Sequence, residues 1–447
     1  MTESRLRIAV IGGGIAGLTF AYALSQRRKD VEINVYEANA NTNEFGAGLN
    51  LMPRVVEVLQ KMGLEEDLKH YAGEPTADTR FQYFKGDQPN ALWYGRSTIG
   101  PKAIHRAEFL RLLVKNTTSV CTTHFSKKLV SYDDPADGMI CLHFKDGSTA
   151  TCDVLIGGDG VKSAVRAQMY RHMAEVASRN NRPVEEVEKL LNYVDPKWCG
   201  EVIYRGIIPA DVLQTNVAEH PSLKSPTYFV GKSKFIITYP IVQGTTRLIN
   251  VGAVVAQHEY NGTTYDGPWS AVVDQKELLE QFEGWDKQAQ ALLNLMKTPS
   301  RWVVNSVDNL PSFVGSRVVI IGDAAHSMTP HQASGAGQAV EDAFLLASLL
   351  GQSSATVNAI PRVLQVYDKV RRPVAQEVHR RSYETGRMLM LETLTSEMDS
   401  SGMIPLERLT RHHEEVQAMY QWNFTSALDD LTKAENELHT QAQLLVQ

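Results

Sequence analysis

The stretch Arg7-Ile8-Ala9-Val10-Ile11-Gly12-Gly13-Gly14-Ile15-Ala16-Gly17 decides the fold of the amino-terminal part of the chain. It opens with a short apolar, β-branched run of the kind that forms a buried parallel strand. Gly12, Gly14 and Gly17 then match the pattern G-x-G-x-x-G. In that pattern the first glycine permits a tight turn, the second admits a pyrophosphate, and the third lets helix and strand pack closely. The stretch therefore predicts a strand, a dinucleotide-binding turn and a helix.

The residues that follow this turn support a dinucleotide site. Ile15 and Ala16 begin the predicted helix, whose unpaired N–H groups favour an anion at its amino end. A second strand comes next, and Glu37 stands at its end, 20 positions after Gly17. A carboxylate at this place accepts hydrogen bonds from ribose hydroxyls but would repel a 2′-phosphate. NAD and FAD both satisfy the pattern, so this motif alone leaves the choice between them open.

The composition gives no electrostatic reason to expect nucleic acid or an anionic membrane as a partner. The 447 residues exceed the usual size of one hydrophobic core, and 45 basic against 51 acidic residues give a formal net charge of -6. Cys121, Cys141, Cys152 and Cys199 lie too far apart for a zinc or redox motif. Because the sequence shows neither a signal peptide nor a long apolar run, we expect a cytoplasmic protein.

The middle of the chain has a different pattern from its beginning. From about residue 198 to 256, short alternating strands are separated by glycine- and proline-bearing turns, which is typical of an antiparallel sheet. A second parallel-type strand returns at 317–321, and an apolar helix is expected from about 337 to 350. After Pro373 the pattern is largely helical. This order indicates a substrate domain inserted into a nucleotide-binding domain.

Two further glycine-aspartate motifs follow the first fingerprint. Gly157-Gly158-Asp159-Gly160 comes after an apolar strand, and Gly322-Asp323 precedes Ser334-Gly335-Ala336-Gly337. Together with G-x-G-x-x-G, and in this order, they resemble the three fingerprints of the class A FAD-dependent aromatic hydroxylases. Within that family, Pro330-His331-Gln332 and Trp422-Asn423 look like segments of salicylate hydroxylase and hydroxybenzoate 1-hydroxylase-like enzymes, which are related to fungal phenol-dearomatising monooxygenases.

The resemblance spans about Arg7 to Ala347 and implies a fold. The expected class is α/β, with a Rossmann-like FAD-binding domain, an inserted substrate domain containing a mixed or antiparallel sheet, and a helical carboxyl terminus, as in p-hydroxybenzoate hydroxylase. The boundaries that we predict are 1–75, 100–185 and 301–360 for the FAD-binding domain, 76–99 and 186–300 for the substrate domain, and 361–447 for the helical region.

The resemblance also implies which residues lie around a bound FAD. Asp323 would contact the ribityl chain, and Asp159 with Gly160 would shape a region that serves both FAD and a transient NADH or NADPH. Arg106 would approach the flavin, and Gly48, in the segment Gly46-Ala47-Gly48-Leu49, would lie beside the isoalloxazine ring.

A turn at Gly335-Ala336-Gly337 is expected to begin the apolar helix that follows it. The amino end of that helix would point at the flavin pyrimidine. Fixed dipoles there stabilise negative charge on the reduced ring, as they do for other developing anions.

Arg205 and Tyr239 are the candidate catalytic residues. The family transfers an electrophilic oxygen from a flavin C4a-hydroperoxide, so its target ring must be electron-rich, and a phenolate reacts more readily than a phenol. Both residues resemble positions that hold the substrate phenolate in fungal dearomatising hydroxylases. Arg205 would lower the phenol pKa by its charge and Tyr239 by a hydrogen bond. The structural alternatives are a sheet-edge arginine and a tyrosine that only fills the core.

The expected enzyme is thus an NAD(P)H-using monooxygenase that hydroxylates a phenolic or hydroxybenzoate-type ring with molecular oxygen, including the option of oxidative decarboxylation. Dearomatisation of a polyketide phenol, a flavin dehydrogenase or oxidase without oxygen insertion, and a non-catalytic nucleotide-binding module are the alternatives. A monomer or a homodimer is expected. No metal site is predicted, because His326 and His331 have no acidic or cysteine partner nearby in sequence. His412 and His413 are expected on a solvated helix face.

Overall fold

The computed structural model describes residues 5–41, 48–71, 79–98, 100, 102–243, 246–399 and 402–444. The strands in these ranges are β1 (Leu6–Ile11), β2 (Val31–Tyr36), β3 (Gly48–Leu51), β4 (Gln82–Lys85), β5 (Leu92–Arg96), β6 (Lys102–His105), β7 (Thr122–His124), β8 (Leu129–Asp133), β9 (Ile140–Phe144), β10 (Thr149–Cys152), β11 (Val154–Gly157), β12 (Lys197–Pro209), β13 (Thr227–Gly231), β14 (Lys234–Gln243), β15 (Thr246–Ala256), β16 (Ser270–Val272), β17 (Ser300–Ser306) and β18 (Val318–Ile320).

The helices are α1 (Ile15–Arg27), α2 (Pro53–Lys61), α3 (Glu65–Tyr71), α4 (Arg106–Thr117), α5 (Ala164–Arg179), α6 (Val184–Leu191), α7 (Ala210–Asn216), α8 (Gln275–Gln281), α9 (Lys287–Leu295), α10 (Asp323–His326), α11 (Gly335–Leu350), α12 (Ile360–Leu389), α13 (Leu406–Ala418) and α14 (Leu428–Leu444). Among the helices of the described ranges, none has an apolar stretch long enough to cross a bilayer.

A parallel sheet with the strand order β18-β11-β1-β2-β7 carries the three glycine-containing fingerprints at the ends of β1, β11 and β18. Its central strand β1 pairs in parallel with β2 on one side and with β11 on the other. Because helices cover both faces of such a sheet, its strands read as continuous apolar runs. Helix α1 packs against α11, which brings the first and third fingerprints to the same edge of the sheet.

A larger mixed sheet has the strand order β16-β17-β12-β15-β14-β13-β4-β5. Alternate residues of β12 point to opposite faces. On one face, Tyr204 packs with the apolar side chains of α8 and α9. On the other face, Ile203 packs with Tyr239 and with residues from the end of α12 and from α13. The second face therefore points at the carboxyl-terminal helices.

The predicted fold class is confirmed: a parallel-sheet α/β unit, a mixed-sheet unit and a helical carboxyl terminus are all present. The domain boundaries remain a prediction. Two local expectations were wrong. Gly335-Ala336-Gly337 is the first turn of α11 and not a turn before it. His412 and His413 are buried, because their ring nitrogens bond the carbonyls of Met388 and Arg96 where α13 packs on α12 and β5.

Candidate active site

The G-x-G-x-x-G turn forms a tight cradle between β1 and α1. Gly12 has a φ of 103°, and a Cβ placed on it would lie 2.3 Å from the carbonyl oxygen of Gly158. A Cβ on Gly17 would lie 2.1 Å from the carbonyl oxygen of Gly12. Gly14 is different, because nothing lies within 4 Å of its Cβ position at the amino end of α1. Ile15 and Ala16 form the first helical turn beyond it. This open helix end fits the pyrophosphate of FAD.

Glu37 is held in place beside this cradle. One of its carboxylate oxygens accepts a hydrogen bond from Gly13 N at 2.8 Å, and the other accepts one from Asn39 N at 2.8 Å. The second oxygen also accepts a hydrogen bond from Asn39 Nδ2 at 2.7 Å, so a lone pair remains on the oxygen that accepts from Gly13 N. The carboxylate is thus oriented next to the pyrophosphate position in the way that a ribose-binding residue requires.

Asp159 is committed to a helix cap. Its carboxylate accepts hydrogen bonds from Ser163 Oγ at 2.5 Å and from Ala164 N at 2.7 Å, at the start of α5. Burial raises the pKa of Asp159. Arg166 of the same helix donates to the carbonyls of Val161 and Ala324, at 2.7 and 3.0 Å. The second and third fingerprints are therefore tied together through this buried guanidinium.

Asp323 lies over the amino end of α11. It begins α10 directly after Gly322, whose φ is 61°, and a Cβ on Gly335 would lie 4.0 Å from Asp323 Oδ1. Asp323, Gly335 and Ala336 all line the same cavity. Gly337 has another role, because its Cβ position is 2.5 Å from Val55 Cγ2. It allows α2 to pack closely on α11.

A buried network of charged side chains on α11 and α12 stabilises the loop around Gly322 and Asp323. Asp342 of α11 accepts hydrogen bonds from Gly322 N at 2.8 Å, from His326 Nε2 at 2.6 Å and from Arg371 Nε at 2.8 Å. Burial opposes ionisation of Asp342, but His326 and Arg371 outweigh it and hold its pKa below the ordinary value. The Nε2 of His326 is thus occupied by Asp342, and within the described ranges no group of side chains has the composition of a metal site.

A cavity of about 350 Å³ lies between the large sheet, the loop after α10 and α13. The polar residues that line it include Arg106, Arg205, Tyr239, Asp323, His331 and Tyr420. Arg106 begins α4, immediately after β6. Gly48 of β3 pairs with His105 at the end of β6, so Gly48 lies near the start of that helix. Gly46 and Ala47 fall outside the described residues.

Arg205 and Tyr239 face the cavity from β12 and β14, the two strands that flank β15. Burial lowers the pKa of Arg205, and the charge of Arg106 lowers it further, while Tyr239 acts in the opposite direction. Burial also raises the pKa of Tyr239 to about 12, against the opposing effect of Arg205. Tyr239 therefore keeps its proton at neutral pH and is a hydrogen-bond donor. The Arg205 guanidinium lies 5.5 Å from the ring centre of Trp302 on β17.

Several cavity residues could not be found from sequence. Tyr83 and Tyr228 stack with ring centres 4.9 Å apart, from β4 and β13. Gln417 of α13 donates to Tyr83 Oη at 3.5 Å, and Tyr420 Oη donates to the carbonyl of His331 at 2.7 Å. These residues come from segments far apart in the chain and carry no motif, so only the fold brings them together.

The chain is similar to known flavoproteins over most of its length. The family model described as an FAD binding domain matches residues 5–205 and 241–382. Salicylate hydroxylase of Pseudomonas putida is 32% identical over 395 residues, which are 86% of this chain and 86% of the relative. The FAD-dependent monooxygenase str9 of Strobilurus tenacellus is 30% identical over 452 residues, with 94% and 96% covered.

A solved structure described as a salicylate hydroxylase substrate complex has a TM-score of 0.79 and 30% identity, with 97% of this chain and 98% of that chain covered. The glycine cradle, the oriented Glu37 carboxylate and the open end of α11 are features that an FAD site requires, as this similarity leads us to expect. The chain belongs to the FAD-binding-domain family, and it is an FAD-dependent aromatic monooxygenase of the salicylate hydroxylase type.

Proposed function

We propose that this enzyme hydroxylates a ring that carries a phenolic hydroxyl, with NADH or NADPH and molecular oxygen as co-substrates. The observation that carries the proposal is the placement of Arg205 and Tyr239 on one face of the large sheet, at the wall of the cavity. When bound, FAD supplies hydride acceptance from the nicotinamide and activation of oxygen. The side chains of this protein supply the binding, orientation and ionisation of the ring.

Arg205 stabilises the phenolate form of the substrate. A positive charge close to a phenol favours its ionised form, and the effect is stronger in a cavity from which water is largely excluded. Tyr239, which keeps its own proton, donates a hydrogen bond to the same oxygen. A phenolate is more electron-rich than a phenol, so these two residues make the ring a better acceptor of an electrophilic oxygen atom.

The cofactor contacts follow from the cradle. Glu37 would bind the ribose of FAD, and the amino end of α1, with Gly12, Gly14 and Gly17 around it, would bind the pyrophosphate. Asp323 would hold the ribityl chain. The amino end of α11 at Gly335 and Ala336 would stabilise negative charge on the flavin pyrimidine.

A 2-hydroxybenzoate is the substrate type that we propose, with oxygen entering at the carbon that carries the carboxylate and with loss of carbon dioxide. Arg106 and Arg205 both line the cavity, so its wall carries positive charge that favours an anionic ring as substrate. The likeness to salicylate hydroxylase supports the same substrate type.

The test is a substrate panel on the purified FAD-loaded enzyme. Salicylate, 4-hydroxybenzoate and 3-hydroxybenzoate are compared with benzoate and 2-methoxybenzoate, which have the same ring but no ionisable hydroxyl. Consumption of NADH and of NADPH is followed together with product mass. We expect oxygen gain with the phenols only, and loss of the carboxyl group with salicylate. Equal oxygen gain from 2-methoxybenzoate would contradict the proposal.

A further inference from the structure

The guanidinium of Arg205 differs from the other buried guanidinium groups in what surrounds it. Arg371 bonds the carboxylates of two acidic residues, and Arg166 donates to backbone carbonyls. Arg205 has no carboxylate or carbonyl partner in the part of the chain that the structure describes, and the charged or ionisable groups that influence it there are Tyr239 and Arg106. Its N–H donors are therefore left for a ligand in the cavity.

An aromatic ring stands where a carboxylate would otherwise balance this charge. The Arg205 guanidinium carbon lies 5.5 Å from the centre of the Trp302 ring. Arg205 pairs with Ser300 across β12 and β17, so Trp302, two residues on, is its diagonal neighbour on the same face of the sheet. The face of an indole attracts a cation but does not neutralise it. The charge of Arg205 therefore remains available to the substrate.

Hydrogen bonds fix the Trp302 ring relative to Arg205. Trp302 Nε1 donates to Ser300 Oγ at 2.9 Å, and Ser300 Oγ donates to the backbone carbonyl of Arg205 at 3.4 Å. The same serine thus contacts the indole and the strand that carries the guanidinium. The ring is held at a set place beside Arg205 and not only by the backbone of β17.

Apolar packing does not account for Trp302. Its side chain is 38% exposed, which is unusual for so large an apolar ring. In the described ranges, the apolar clusters on the two faces of the large sheet do not include it. Trp302 also lies outside the wall of the cavity, whereas Arg205 is part of that wall. Any effect of Trp302 on the substrate must therefore pass through Arg205.

Arg205 needs a group that holds it in place. Burial lowers its pKa, and the positive charge of Arg106 lowers it further, so both oppose a guanidinium at the cavity wall. An arginine side chain has many rotamers and can turn towards water to escape such repulsion. An attractive ring at a fixed position opposes that movement.

We propose that Trp302 is a positioning residue that keeps the Arg205 guanidinium directed at the phenolic oxygen of the substrate and covers its outer side from water. The inference rests on the phenolic substrate proposed above. Trp302 itself touches neither the substrate nor the flavin. It acts by keeping Arg205 at the cavity wall, where water is largely excluded and a positive charge stabilises a phenolate more strongly.

The test compares binding of two ligands to the FAD-loaded enzyme. 4-Nitrophenol can ionise in the site, whereas 4-nitroanisole has nearly the same shape and cannot. The ratio of the two affinities reports stabilisation of the phenolate and is insensitive to a general change of the pocket. Trp302→Leu should lower this ratio by about three- to tenfold. Trp302→Phe keeps a ring face and should stay within about twofold of the wild-type ratio.

A double-mutant cycle shows whether Trp302 acts through Arg205. In the Arg205→Ala background, Trp302→Leu should cause no further change in the ratio, because the group that the ring positions is absent. Trp93→Leu is the matched control, since Trp93 is 50% exposed and pairs with Phe84 on β4, away from Arg205. An unchanged ratio in Trp302→Leu, an equal loss in Trp302→Phe, or a further loss in the Arg205→Ala background would overturn the proposal.

The two proposals fail in different ways. If phenols gain oxygen in the wild-type enzyme but the ratio is the same in Trp302→Leu, only the role of Trp302 is wrong. If phenols neither bind nor gain oxygen, the phenolic substrate is wrong, and the role of Trp302 falls with it.

Discussion

Arg205 and Tyr239 lie on strands that flank β15 on opposite sides, and both side chains reach the same cavity wall. Their partners on β15 are Gly252 and Asn250, two positions apart. Residues two apart on a strand share a face. Glycine at 252 leaves the space between Arg205 and Ile237 without a side chain. The sheet therefore places the Arg205 guanidinium and the Tyr239 hydroxyl on the same wall of the cavity.

Replacement of Arg205 by Ala should remove hydroxylation and leave FAD bound. Loss of the charge that stabilises the phenolate should lower kcat/KM by about 100-fold or more. The measurement is product formation together with the flavin absorbance of the purified protein. Arg247→Ala is the control, because Arg247 is an exposed arginine on β15 that bonds the carbonyl of Leu223. Product formation at the wild-type rate in the Arg205 variant would remove this residue from the mechanism.

Replacement of Tyr239 by Phe should keep the buried ring and remove only the donor. Because a hydrogen bond to a charged oxygen contributes about 1.5–3 kcal/mol, affinity for the phenolate should fall by about tenfold or more. Titration with a phenol that changes absorbance on ionisation measures this. Tyr94→Phe serves for comparison, since Tyr94 is equally buried but packs against Tyr83 and His413. Equal affinity losses in both variants would argue that the Tyr239 hydroxyl has no special role.

Gly14 and Gly17, at the amino end of α1, should respond differently to replacement by alanine. Gly17→Ala puts a Cβ 2.1 Å from the Gly12 carbonyl oxygen and should destabilise the FAD-free protein by about 1–3 kcal/mol or more. Gly14→Ala meets no protein atom within 4 Å and should leave the FAD-free protein stable while weakening FAD binding. Thermal unfolding without FAD and flavin titration distinguish the two effects. FAD affinity equal to wild type in Gly14→Ala would contradict the pyrophosphate site.

Arg371 should be essential to stability although it lies outside the cavity. Its guanidinium is 1% exposed and pairs with Asp342 and Glu341. Replacement by Met removes the cation that these two buried carboxylates share, which costs about 3–5 kcal/mol. The free energy of unfolding in denaturant measures the loss. Arg372→Met is the neighbouring control, because Arg372 forms a more exposed pair with Asp368 and should change stability by less than about 1 kcal/mol.

The stability contributed by His258 should depend on pH with a defined sign. Burial opposes its protonation, but its bonds to Glu201 and Glu392 outweigh burial, so its pKa is about 9 in the folded protein, against an ordinary value of 6.5. A raised folded-state pKa gives stability that is fully present below pH 6.5 and is lost as the pH rises through 9. The stability difference between wild type and His258→Gln should therefore shrink over this window. A difference that stays constant across it would show that His258 carries no charge in the folded protein.

The nucleotide-binding half could be predicted from sequence because each fingerprint is a short local motif, and the backbone geometry of that motif requires its residue types. Gly12 and Gly17 sit where a side chain cannot fit, and Glu37 stands where the second strand ends. The residues that line the cavity could not be predicted from their spacing in the sequence. Tyr83 and Gln417 meet across 334 positions, and the pairing of Glu201 with His331 depends on a bulge that shows no sequence signature.

The error at His412 and His413 has a physical cause. The sequence predicts a solvated helix face for them, but α13 packs between β5 and the end of α12. Gly95 on β5 leaves room for one of the imidazoles, since a Cβ there would lie 2.5 Å from His413 Cδ2. Burial of a histidine is set by such a partner surface and not by the residues beside it in sequence.

The most direct test of the central claim is isotopic labelling of the product. The FAD-loaded enzyme is supplied with salicylate, NADH or NADPH, and oxygen enriched in the heavy isotope, and the product is analysed by mass. If the enzyme is an aromatic monooxygenase that acts on this phenol, the product should contain one labelled oxygen atom and should lack the carboxyl group. Reduced nicotinamide consumed in step with an oxidised product that contains no labelled oxygen would contradict oxygen transfer to the ring.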